Sequence, residues 1–204
     1  MNNINSIYGL SIIFRLISAV IIITIHEYIK ALVSHILGND IPRRDNRLSL
    51  NPANHIEPIG LVLCTISGLG WGKPLRGSTI YYKAKNKKRD ICLTYILPPL
   101  VIILIAALAA FGYSLLPDNA PALLRVFLLQ FIGVCLPFAV FNFIPVPPLD
   151  ASRVIVCFLA PNQVMQYYNM EKLFQIILII VVSFGLLNGL NDFIVNGFFS
   201  VFIK

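Results

Sequence analysis

Charge is scarce in this chain of 204 residues. Asp, Glu, Lys and Arg make up 12% of it, about half the share of an ordinary soluble domain. Acidic residues are scarcer still, nine against sixteen Lys and Arg. There are three histidines, one tryptophan and four cysteines, and no C-x-x-C pair. The low charge excludes an ordinary soluble fold. The cysteines (Cys64, Cys92, Cys135, Cys157) lie in or beside apolar runs and read as small buried hydrophobes, which excludes a sulfur zinc site and a disulfide framework. The start MNNINSIYG lacks a basic segment, and no small-residue cleavage site follows the first apolar run, so that run is expected to be retained. No basic soluble domain is present, which argues against nucleic acid as a partner.

What the chain has is hydrocarbon. It is 57% hydrophobic, with mean hydropathy +0.80. The expected fold is an all-α polytopic membrane protein occupying residues 1–204 as a single domain. It would have four full transmembrane helices, a short re-entrant or partial segment and a small β-like loop. The full spans are expected at 7–38, 91–115 (kinked at Pro98-Pro99), 122–144 and 172–190, with an aromatic tail behind the last. IGLVLCTISGLGW (59–71) is too short to cross a bilayer core comfortably. LSL and STIYYK are β-like. Pro137, Pro145, Pro147 and Pro148 predict an extended approach to Asp150. Ten of the sixteen Lys and Arg fall between Arg43 and Arg89, so the positive-inside rule puts loops 41–58 and 72–90 in the cytoplasm. With 59–71 re-entrant, the N-terminus is outside, the 114–121 turn is outside, and Asp150 returns to the depth of His26 and Glu27.

The unusual stretch is TIHEYIKALVSHILGND (24–40), where His26, Glu27, Lys30 and His35 interrupt an apolar helix. Ionisable groups inside a span are costly and point to function. The pattern is one residue from H-E-x-x-H, in which two histidines at i and i+4, about 40° apart on a helix, share a zinc and the Glu serves as base. Lys30 stands at the second histidine. An ammonium has no lone pair to give a metal. His35 lies roughly 180° round the helix from His26 and about 13 Å along it, out of reach. His55, on a loop, is the remaining candidate to step in.

Three stretches in order carry a resemblance. HEYIKALVSHILGND, then RLSLNPANHIEPIG with GLGWGKPL, then FNFIPVPPLDASRV resemble the site-2 protease family of intramembrane zinc metalloproteases, in its short bacterial form without an inserted soluble domain. The likeness covers roughly residues 20–155. It implies His26 and Asp150 as metal ligands, Glu27 as the catalytic base, zinc as cofactor, and Asn142 and His55 near the cavity. The implied substrate is a membrane-spanning protein segment, cut within the bilayer where its helix unwinds. The sequence departs from the family at Lys30, at Ala151 (a glycine there) and at ILPPLVI (an A-G-P stretch there).

Other readings stay open beside this one. Lys30 could sit between Glu27 and Asp150 as a permanent cation in the place of the metal, leaving a non-catalytic relative that binds membrane-protein partners. A small proton-coupled transporter could use the same three residues. His26 and Glu27 alone could be an interhelical polar pair, and Asp150 a helix N-cap. Arg15 is expected to snorkel to the outer headgroups and Trp71 to anchor at the interface. The 83–89 basic run reads as a solvated loop near anionic lipid. Tyr81-Tyr82 could offer a strand edge to an unwound substrate. The Gly68, Gly70, Gly72 spacing lacks the strand-to-helix context of a phosphate loop.

Overall fold

The structure is a computed structural model that describes residues 2–75, 82 and 86–202. α1 (Asn2–Ile36) is followed by the single turn α2 (Ile41–Arg44), a 3-10 turn at Pro52–Asn54 and α3 (Pro58–Ser67). α4 (Lys87–Ser114) and α5 (Ala122–Phe141) are long; α6 (Asp150–Val156), α7 (Pro161–Asn169), α8 (Glu171–Ser183) and α9 (Asn188–Phe202) complete the order. α1, α4 and α5 pack on one another and form the body.

These helices are apolar on both sides. On α4, Ile102, Ala106 and Ala110 are fully buried, while Leu100, Leu104 and Leu108 are exposed. A helix that is apolar all round suits hydrocarbon rather than water. Among the described residues three helices are long and apolar enough to cross a membrane, Gly9–Ile36, Lys87–Ser114 and Ala122–Phe141. The chain is an all-helical membrane protein. The fourth expected span at 172–190 is instead a bent pair: α8 and α9 meet at 68° around Gly185, whose φ of +68° suits a residue without Cβ. Helix α4 runs on through Pro98-Pro99.

No strand occurs among the described residues. LSL forms none, and its neighbourhood supplies only an isolated antiparallel bridge, Ile56 to Gly72. Most of STIYYK lies outside the described residues; Tyr82 is buried, its hydroxyl 3.1 Å from both Ser34 Oγ and Thr94 Oγ1.

The 59–71 segment is built on a ten-residue helix and folds back on itself. α3 begins at Glu57, whose carboxylate accepts from the Gly60 amide at 2.6 Å, a side-chain N-cap. It ends at Gly68, in the left-handed region at φ +81°, and the chain doubles back so that Gly72 bridges Ile56 and the Lys73 amide donates to His55 O at 2.7 Å. The last four carbonyls of a helix need outside donors, and here each has one. The Gly68 amide serves Cys64 O at 2.8 Å. Arg15 serves Thr65 O and Ile66 O at 2.8 and 3.1 Å, and Asn191 Nδ2 serves Ser67 O at 2.8 Å.

Two sequence expectations change with this hairpin. Arg15 caps α3 rather than reaching for headgroups, because unpaired carbonyls in an apolar body attract the nearest fixed donor. Trp71 is 1% exposed and belongs to a core cluster with Leu63, Leu69, Phe141 and Leu149, because the returning strand-like stretch 69–72 runs inside the fold. The approach to Asp150 also differs from the extended chain expected. Residues 142–149 are successive turns, with Phe143 N to Val140 O at 3.0 Å and Leu149 N to Val146 O at 2.9 Å, and Ala151 N reaches back to Asn142 O at 3.1 Å.

Candidate functional site: a buried ion-pair centre

One stripe of α1 faces the interior. Ala19, Ile22 and Ile23 form its first half, and His26, Glu27, Lys30 and Ser34 continue it at the same helical spacing. The stripe thus passes from apolar to ionic without changing face. Asp150, the first residue of α6, is brought opposite by the turns after α5. Leu149, not Asp150, holds the N-cap position, and the Asp150 carboxylate is spent on α1.

His26, Glu27, Lys30 and Asp150, 124 positions apart from first to last, meet in one place. Lys30 Nζ donates to Glu27 Oε1 at 2.5 Å and lies 2.6 Å from Asp150 Oδ1. His26 Nδ1 is 3.3 Å from Glu27 Oε1, and its Nε2 is 3.3 Å from Asp150 Oδ2. All four residues are at most 4% exposed. The imidazole stands edge-on to Phe138, centroids 5.0 Å apart, and the Tyr95 ring lies 5.8 Å from Lys30 Nζ.

Glu27 has a second cation, which sequence reasoning missed. Arg47 Nη2 donates to Glu27 Oε2 at 2.8 Å and to Lys73 O at 2.6 Å, while Nη1 donates to Asn54 O at 2.9 Å. Nothing local distinguishes Arg47 from Arg43 and Arg44. The one signal was arithmetic: two buried carboxylates face one ammonium, and buried charges need partners. Glycine completes the fit. A Cβ on Gly72 would stand 2.3 Å from Glu27 Cγ, so the returning stretch touches the carboxylate only because that residue has no side chain.

Asn142 lies beside the centre. Its Nδ2 donates to Phe138 O at 2.8 Å and to Gly70 O at 3.3 Å, tying α5 to the returning stretch. Glu27, Lys30, Asn142 and Asp150 line a cleft with Trp71 and Tyr95 whose enclosed volume, about 10 Å³, holds about one water. His55 Nε2 is 2.6 Å from Ser49 O, and the charges of Arg47, Glu27 and Lys30 act on its imidazole. His35 pairs at 3.8 Å with Asp40 at the far end of α1.

A resident zinc does not fit the donors as they stand. His26 Nε2 and Asp150 Oδ2 are buried, face each other at 3.3 Å and make no hydrogen bond, and both could ligate. The third corner is Lys30, a donor without a lone pair. Among the described residues no three His, Cys, Asp or Glu are grouped to hold a metal. Glu27 has cations on both oxygens, so in this arrangement neither is free to take a proton from water.

His55 sets a pH dependence. Burial pushes its pKa below the ordinary histidine value of 6.5, against the opposing pull of the Ser49 carbonyl. The unfolded chain then binds a proton that the folded chain resists, so stability falls as pH drops through 6.5 and levels off below the folded value. Thermal melts in detergent should give a lower Tm at pH 5.5 than at pH 8. His55→Gln, which keeps a donor toward Ser49 O, should shrink that difference; an unchanged difference would assign it to other groups.

The fold and site define an all-helical membrane protein with a buried His-Glu-Lys-Asp centre. Over nearly its whole length the chain is similar to a Bacillus subtilis (strain 168) protein named "Putative zinc metalloprotease YwhC", 26% identical over 211 aligned residues that cover 96% of this chain and 95% of that protein. No protein-family model and no solved structure matches it.

Proposed function

We propose that this chain is a site-2-protease-type membrane protein that recognises a membrane-spanning segment of another protein at the Glu27–Lys30–Asp150 centre without hydrolysing it. The observation that carries this is the Lys30 ammonium, within 2.6 Å of both carboxylates at the position where a metalloprotease needs a ligand. The zinc metalloprotease named above supports the general type. In this reading the basic loops 41–58 and 72–90 face the cytoplasm, the N-terminus is outside, and the returning stretch 69–75 borders the cleft that the bound segment approaches.

A second reading, peptide-bond hydrolysis inside the membrane with zinc on His26 and Asp150 and Glu27 as base, is favoured by one feature: His26 Nε2 and Asp150 Oδ2 face each other at 3.3 Å and neither makes a hydrogen bond. Reconstitution separates the two. Proteoliposomes of the full chain are mixed with single-span peptides labelled at both ends, some with helix-breaking residues in mid-span. Saturable energy transfer with the peptide intact on gels is the expected result. Fragments that disappear with Glu27→Gln would establish hydrolysis instead, and no saturable transfer with any peptide would overturn recognition.

A further inference from the structure

The centre has the shape of a metal site and a cation already in it. Two ligands on a tetrahedral zinc, each about 2.0–2.1 Å from the metal, stand about 3.3 Å from each other. His26 Nε2 and Asp150 Oδ2 are 3.3 Å apart. Neither has a hydrogen-bond partner, although a buried polar atom without one is costly. The residue one turn below His26 on the same stripe is Lys30. Its nitrogen joins Glu27 to Asp150, a link that a divalent ion could also make.

Charge gives the same answer. Glu27 and Asp150 carry two negative charges into a site with room for about one water. Lys30 and Arg47 return two positive ones. No further cation is needed to balance the site. A divalent ion added beside Lys30 would meet an ammonium without the separation or solvent that weakens repulsion in water.

We infer that Lys30 is the resident cation of this centre, standing where a divalent metal would bind, and that the rest of the metal geometry persists around it. The inference rests on the proposed non-hydrolytic reading and deepens it, since it says why that centre does not cut. It also gives the substitution that reverses the state: a histidine at position 30 replaces the ammonium by a lone pair, with His26 one turn away and Asp150 opposite, a donor set of the kind that holds catalytic zinc.

The test is metal content. Full-length wild type, Lys30→His, and Lys30→His combined with Asp150→Ala are purified in detergent, incubated with zinc, desalted and measured by mass spectrometry. Expected is about one zinc per chain in Lys30→His, and background in wild type and in the combined variant. Wild type holding about one zinc per chain, lost with Asp150→Ala, would overturn the inference; so would a folded Lys30→His chain no richer in zinc than wild type. Lys30→Ala supplies an independent measurement should the histidine variant not fold. Zinc should raise its Tm and leave that of wild type unchanged, and a Tm that zinc does not move would count against the inference. Because the peptide-binding readout uses no metal, failure here and failure of the recognition reading are separate results.

Discussion

Lys30→Met should cost about 3–5 kcal/mol of stability, the usual penalty for removing one partner of a buried ion pair. Lys30 is the charged partner that Asp150 has at hydrogen-bond distance, 2.6 Å away and 4% exposed. Methionine keeps the volume and removes the charge, so the Asp150 carboxylate is left in an apolar body with only the His26 imidazole, 3.3 Å from its other oxygen, beside it. Glu27 suffers less, since Arg47 remains on its other oxygen at 2.8 Å. That asymmetry sharpens the prediction. Combining Lys30→Met with Asp150→Leu removes both charges, and replacing a buried pair by apolar groups of similar size is often close to neutral. The double variant should therefore be more stable than Lys30→Met alone, with a coupling of roughly 2 kcal/mol or more. Denaturant unfolding in detergent, followed by circular dichroism on the four members of the cycle, measures it. Additive effects would mean that Lys30 and Asp150 do not hold each other in the folded protein.

Gly60→Ala is expected to be strongly destabilising. A Cβ there would lie 2.1 Å from the Trp71 carbonyl oxygen, and the obstacle is backbone in the returning stretch. Alanine favours a helix over glycine by about 0.5–1 kcal/mol, while forced overpacking costs about 1–3 kcal/mol or more when nothing can move aside. The clash wins. Its effect should travel, because separating α3 from residues 69–72 also lifts Gly72 off Glu27 and strains the contact from Asn142 to Gly70 O. Gly133→Ala is the control: it lies in α5 with open space where its Cβ would be, so it should be neutral or slightly stabilising. A proteolysis time course on the two variants in detergent distinguishes them. If Gly60→Ala resists proteolysis as wild type does, the close pairing of α3 with the returning stretch is not what holds the hairpin.

The sequence alone determined a good deal. Hydropathy located α1, α4 and α5 because a span must bury every backbone group in its own helix and coat itself with apolar side chains. That requirement is local and therefore legible. The breaks in apolarity at His26, Glu27, Lys30 and Asp150 marked the centre for the same reason. Length alone marked 59–71 as too short to cross comfortably and suggested a re-entrant or partial segment.

The tertiary structure decided what the residues do to one another. Arg15 and Trp71 were assigned to the interface because their side chains suit it, yet each is claimed by a hairpin in which glycines at 60 and 70 fit backbone against backbone and Gly72 fits against the Glu27 side chain. The last expected span breaks at Gly185, whose positive φ is a property of the folded backbone and leaves no trace in hydropathy. Arg47 reaches Glu27 from a loop that resembles any basic loop in sequence. Most of all, the motif raised the question of Lys30 without answering it. Whether an ammonium is a failed ligand or a working cation depends on where its nitrogen lies relative to two carboxylates 123 residues apart. Charge pairing across such a separation is a property of the fold, because only packing sets the distance over which it acts.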